Sequence, residues 1–227
     1  RKKIDILNKA PTQKKMKTFD IIIFAVKPQI ASDVLNDYEN FELKKNIVIG
    51  SIIAGKKINF FMKRIKNANQ FVRIMPNMPA LVQNGISCFV SNTHLSLNNK
   101  KKLNELFLRV GKTIWLKNES QIDKATAVSG SGPGYIFTLI HAFEKAAEKI
   151  GFSKNQSRDL IVSTMLGSIY LMQETKKKPE ELAIQIAVKG GTTEAGIKNL
   201  KNNNIDKIIY KTFMAAYNRA KILSKKN

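Results

Sequence analysis

Apolar residues in the first half of the chain fall in short unbroken blocks. Phe19–Val26 is apolar everywhere except Asp20, the pattern of a strand covered on both faces. Lys27-Pro28 ends that run, and Pro28 suits the first turn of a helix with Ile30, Val34 and Tyr38 on its apolar face. Asn46–Ile53 predicts a second buried strand, followed by Ala54-Gly55 and a helix around Phe60–Ile65. A third strand, Phe71–Met75, stops at Pro76-Asn77-Met78-Pro79. A further strand pair is expected at Gly85–Ser91 and Thr113–Leu116. The helix between them has Ser96 as N-cap, Leu103, Leu106, Phe107 and Val110 on one face, and Gly111 as its stop. Strands alternating with helices imply βα units and a parallel sheet.

After about Asn118 only helical spacing remains. Ile136, Ile140, Phe143, Ala147 and Ile150 recur along one face and end at Gly151, and Ser153–Gln156 offers a capping box for the next helix. Pro179 opens a short helix to about Ala187, and a last one from Asn204 carries Ile205, Ile209, Phe213, Ala216 and Ala220. Apolar helix faces without intervening strands pack on each other or on a partner subunit. The chain therefore divides into an α/β half, residues 1–117, and an all-α half, residues 118–227, with no long linker and no internal repeat.

Composition narrows the chemistry. At 227 residues and 43% hydrophobic, the chain can bury a sizeable core. No apolar run reaches the ~18–20 residues of a membrane span, and Arg1-Lys2-Lys3-Ile4-Asp5 has no apolar stretch after it to make a signal peptide. Cys88 is the only cysteine and His94 and His141 the only histidines, which argues against an internal disulfide or a Cys/His metal site and for a reducing, cytoplasmic compartment. The formal charge of +22 invites a nucleic-acid reading. The excess is nearly all Lys, however, in short clusters such as Lys100–Lys102 and Lys176–Lys178, with no interleaved aromatics to stack bases. It reads as a solvated surface, with neither nucleic acid nor membrane as partner.

In an open parallel sheet, ligands bind beyond the carboxyl ends of the strands. Three such ends carry small or unusual residues: Val26-Lys27-Pro28, Ala54-Gly55 and Pro76-Asn77. Each alone passes for an ordinary turn; three on one edge favour a ligand cleft. Gly190-Gly191-Thr192-Thr193 opens a helix, a setting that either presents backbone amides to an anion or forms a plain glycine turn. Ser129-Gly130-Ser131-Gly132-Pro133-Gly134-Tyr135 permits close backbone approach, or is a simple interhelical loop. No Gly-x-Gly-x-x-Gly follows any strand.

Val26-Lys27-Pro28-Gln29, Arg73–Ala80, Ser129–Tyr135 and Gly190–Thr193 occur in the order and spacing of pyrroline-5-carboxylate reductases, and the resemblance covers essentially the whole chain. It implies a Rossmann-type parallel-sheet domain binding NADPH or NADH, followed by an all-α dimerisation domain in a homodimer or larger homo-oligomer. It also implies reduction of the small cyclic imine 1-pyrroline-5-carboxylate to L-proline. By motif, Val26, Lys27, Pro28, Ala54, Gly55 and Asn77 line the cofactor site. Gly191, Thr192 and Thr193 hold the substrate, with the Thr193 hydroxyl near the ring nitrogen as the catalytic group. Relative to the family, the first βαβ portion with its glycine fingerprint is missing. Arg1, Lys2 and Lys3 stand where a contact to a 2′-phosphate would end. Val188-Lys189 replaces a common Ser-Pro, and Gly134 a common alanine. Two other readings compete. One is a hydroxyacid dehydrogenase, for which His141, read as structural, is the only nearby histidine. The other is a basic binding protein descended from a reductase.

Overall fold

A computed structural model describes residues 5–225, so Arg1, Lys2 and Lys3 lie outside the described residues. These form two compact units, one running up to Pro133 and resuming at Met214, the other spanning Gly134–Phe213.

The first unit is a five-stranded sheet in the order β1 (Ile21–Phe24), β2 (Val48–Ser51), β3 (Gln70–Met75), β4 (Gly85–Ser91) and β5 (Gly111–Trp115). The expected parallel pairing holds for β1–β2, β2–β3 and β4–β5, whereas β3–β4 is antiparallel. Length explains the exception. A parallel crossover takes about a dozen or more residues, and the connection over residues 76–84 holds only a 3-10 turn, Met78–Val82. The strands are shorter than their apolar runs because Phe19, Val26, Ile47 and Ile53 continue into the core beyond the last ladder bonds.

Alternate residues feed two cores, one on each face. Ile49, Phe71, Cys88 and Val90 join α2 (Ala31–Asn36), α3 (Ile58–Met62) and α5 (Ser120–Ala125) on one side. Val48, Val72, Ile74 and Phe89 meet Leu103 and Phe107 of α4 (Leu97–Phe107) on the other. A short α1 (Gln13–Met16) buries Met16 in the first core. Ser96 caps α4 as its sequence predicts, accepting the Asn99 N–H. The helix after Pro28 meets expectation in part. Val34 and Tyr38 pack in the core, joined by Ala31 and Leu35, whereas Ile30 lies in a 3-10 turn, Pro28–Ile30, and is exposed.

The second unit contains most of α6 (Gly132–Lys149), then α7 (Lys154–Thr175), α8 (Pro179–Ile186), α9 (Thr192–Asn202) and the first part of α10 (Ile205–Lys225). Local signals hold here. Gly151 (φ 112°) follows α6, Ser153 and Gln156 form both halves of the capping box, and Pro179 opens α8. Of Ser129–Tyr135, left between loop and close-approach readings, Ser129 and Gly130 end a π-helical turn, Thr126–Gly130, that joins α5 to α6, and Gly132–Tyr135 open α6; Ser131 N–H bonds to Thr126 O at 2.8 Å. No helix among the described residues is long and apolar enough to cross a membrane.

Arg73 of β3 is 3% exposed on the face covered by α5. Its guanidinium lies 3.0 Å from Asp123 and 3.5 Å from Glu119. Asp123 also accepts the Ser224 hydroxyl at 2.8 Å, and Glu119 accepts the Ile58 N–H that opens α3. One buried cation therefore ties β3, α3, α5 and the end of α10. Replacing Arg73 with leucine strands Asp123 in the core, which costs about 3–5 kcal/mol for a broken buried pair. Urea unfolding followed by circular dichroism should show that loss, and Ser224→Ala should lose about 1 kcal/mol.

Candidate active site

Because β1, β2 and β3 run parallel, the residues after Phe24, Ser51 and Met75 emerge on one edge of the sheet. Val26, Lys27 and Pro28 follow β1, Ala54 and Gly55 follow β2, and Asn77 follows β3. All six of the residues expected to line a cofactor site are therefore brought to a common edge. Lys27, Pro28 and Ala54 are exposed and Val26, Gly55 and Asn77 half-buried. Small residues and an exposed lysine, Lys27, on one edge are the chemistry that a flat ring and phosphates call for.

Two of the six also do structural work. Gly55 adopts φ 79°, and a Cβ there would meet the Leu223 carbonyl oxygen at 3.2 Å, so packing against α10 accounts for this glycine. The Asn77 amide is engaged on both sides. It donates to Ser129 O at 3.2 Å and accepts the Ile86 N–H at 2.8 Å. Asn77 thus presents backbone rather than a free side chain to the edge. Next to Gly55, burial and the Arg64 charge hold the Lys56 ammonium below its ordinary pKa.

The Asn77–Ser129 bond joins two motifs far apart in sequence. The π-helical turn bears Ser129, whose hydroxyl lies 4.0 Å from the Cys88 sulfur, and Gly130, where a Cβ would come within 2.6 Å of the Met75 methyl. A π turn inserts one extra residue per turn and often marks a functional site. Here it carries Ser129 and Gly130 against the end of β3. Sequence reasoning missed this, because the i to i+5 bond leaves no residue pattern.

In the second unit, Gly191 is the N-cap of α9 (φ −85°, ψ 166°), and Thr192 and Thr193 are its first residues. The three residues expected to hold the substrate thus sit together at one helix start, but not every amide is available. Gly190 N–H donates to the Glu194 carboxylate at 2.7 Å and Gly191 N–H to Val188 O at 2.8 Å. Gly191, expected to offer its amide, has it satisfied within the turn. That leaves the Thr192, Thr193 and Glu194 amides at the helix start, where the backbone dipole favours an anion. Thr193 is half-buried beside them. His141 is exposed on α6.

A polar cavity opens at the opposite edge of the sheet, lined by Lys44, Lys45, Asn98 and Lys102 among others. Asp20 pairs with Lys44 at 3.0 Å and Lys102 at 3.8 Å, and the Lys44 bond holds its carboxyl below the usual carboxylate range.

A family model described as pyrroline-5-carboxylate reductase dimerisation matches residues 119–223. The pyrroline-5-carboxylate reductase of Pseudomonas aeruginosa is 34% identical over 201 residues, 88% of this chain and 73% of that protein. A solved pyrroline-5-carboxylate reductase from Coxiella burnetii superposes with a TM-score of 0.87 at 32% identity, covering 93% of this chain and 78% of that one. The Plasmodium falciparum pyrroline carboxylate reductase, solved with NADP bound, gives 0.84 at 30% identity, covering 99% and 85%.

Asn77→Ala removes both bonds that hold the β3 loop to β4 and to the π turn. It should lower stability by about 1–3 kcal/mol in chemical denaturation. Burial pushes the Cys88 thiol above its ordinary pKa, and the Ser129 contact offsets this only in part. At pH 8 a thiol reagent should therefore label Cys88 only as fast as the protein unfolds. Rapid labelling of folded protein would contradict the burial.

Proposed function

The chain belongs to the pyrroline-5-carboxylate reductase family, and we propose that the edge of the sheet after β1, β2 and β3 holds its cofactor and the start of α9 its substrate. The protein is an NAD(P)H-dependent oxidoreductase that reduces 1-pyrroline-5-carboxylate to L-proline, the last step of proline biosynthesis. The observation that carries this reading is likeness to such reductases along most of the chain, at 34% identity over 201 residues.

Val26, Lys27, Pro28, Ala54, Gly55 and Asn77 line the cofactor site. Lys27 offers charge to a phosphate, and the small residues let the backbone come close. When bound, the reduced nicotinamide supplies the hydride that C5 of the imine receives. The Thr192 and Thr193 amides hold the substrate carboxylate, and Gly191 sets the turn that aims them. The Thr193 hydroxyl bonds the ring nitrogen and favours the protonated, more electrophilic imine. Placement and electrostatics supply most of the acceleration, with no strong general acid.

The functional division we propose puts nucleotide binding in residues 1–117, and subunit association with substrate binding in 118–227. The protein acts as a homodimer or a larger homo-oligomer. The second unit supports that assembly. Only Ala147 and Ser157 are buried among its residues, while Ile136, Phe137, Ile169 and Ile184 are about half exposed or more. Apolar surface on that scale is normally covered by another subunit. Its lysines face solvent rather than nucleic acid, and its place is the cytoplasm, consistent with a single free thiol, Cys88.

The test is oxidation of NADPH and of NADH with pyrroline-5-carboxylate, followed by absorbance on the full-length gene product. Substrate-dependent oxidation is expected, and the faster cofactor gives the preference. Thr193→Ala should lose about 1–2 kcal/mol of transition-state stabilisation, read from kcat/KM. An unchanged rate would remove Thr193 from the mechanism.

A further inference from the structure

The turn before α9 has an unusual cap. An N-cap Ser, Thr or Asp would use its side chain to satisfy an amide of the first helical turn. Gly191 has no side chain and leaves those amides open. The Glu at N3 of an ordinary capping box reaches back to the N-cap amide. Glu194, at N3 here, reaches one residue further, to Gly190 N–H at 2.7 Å. That bond closes over a glycine at φ 76°, and the next amide is held by Val188 O, which a Cβ on Gly191 would meet at 2.9 Å.

We propose that Glu194 is a positioning residue for the reaction: by accepting the Gly190 N–H it fixes the glycine pair in the turn that leaves the Thr192 and Thr193 amides for the substrate carboxylate. This rests on the reading of the α9 start as the substrate site. The bond does two things. It removes Gly190 as a competing donor, so the anion is drawn to the open amides of the first helical turn. It also holds a left-handed residue, which an unrestrained turn would populate only part of the time. A carboxylate gripped alike before and during hydride transfer contributes uniform binding, so loosening the turn raises KM and changes kcat little.

Steady-state kinetics of Glu194→Ala and Glu194→Gln, beside Thr193→Ala, test the idea in the full-length gene product. Glu194→Ala should raise KM for pyrroline-5-carboxylate roughly tenfold, with kcat and the NADPH KM within about twofold. Glu194→Gln keeps an oxygen acceptor and should restore KM to within about threefold of the parent. Glu194 is exposed, so a general folding defect would instead show as a lowered unfolding midpoint and a change in both Michaelis constants, and that result overturns the proposal. A normal KM in Glu194→Ala while Thr193→Ala is impaired overturns it too, and so does a glutamine variant as weak as the alanine one. If Thr193→Ala is also unaffected, the substrate site itself has been misplaced and both readings fall.

Discussion

Arg73 places a positive charge in the middle of an otherwise apolar layer, and much of the first unit is arranged around satisfying it. A cation so buried is tolerable only with carboxylates and further hydrogen bonds around it. Asp123 and Glu119, one turn apart on or beside α5, provide the carboxylates. The same carboxylate oxygens that meet Arg73 also accept the Ser224 hydroxyl and the Ile58 amide. Replacing the whole cluster by apolar groups could have packed as well. What the charged arrangement adds is geometric. It fixes where α5 sits on β3, and α5 runs straight into the π turn that meets Asn77.

From that anchor the edge after β1, β2 and β3 follows. Three parallel strands bring three loops together, and the loops differ in what they leave open. Lys27, Pro28 and Ala54 are exposed, whereas Gly55 is committed to packing and Asn77 to its two hydrogen bonds. The turn before α9 is similar. Internal bonds consume the Gly190 and Gly191 amides and leave those of the first helical turn.

The second unit obeys a different constraint. Along α7 the apolar residues Leu160, Leu166, Ile169, Tyr170 and Leu171 all remain at least partly exposed and do not keep to one stripe. A helix apolar around much of its circumference is stable only when surrounded. Association is therefore part of how this unit folds, and a homo-oligomer follows for a chain whose matched region is a dimerisation domain.

The sequence by itself determined the features whose cause lies within a few residues: the strand Gly85–Ser91, the Ser96 cap, the Ser153–Gln156 capping box, the stop at Gly151 and the helix start after Gly191. It also determined the family, because four spaced motifs survive as a pattern without any knowledge of contacts. Only tertiary structure decided what depends on a partner distant in the chain. Nothing around Arg73 announces burial, since its carboxylates lie 46 and 50 residues away. Nothing around Asn77 announces that its amide is used up by Ile86 and Ser129. Ile30 fell outside the buried face because it belongs to a 3-10 start, which spacing alone does not reveal. The antiparallel β3–β4 pair reflects connection length. Local chemistry sets where elements begin and end; which of their polar groups remain free for a ligand is settled only when distant segments meet.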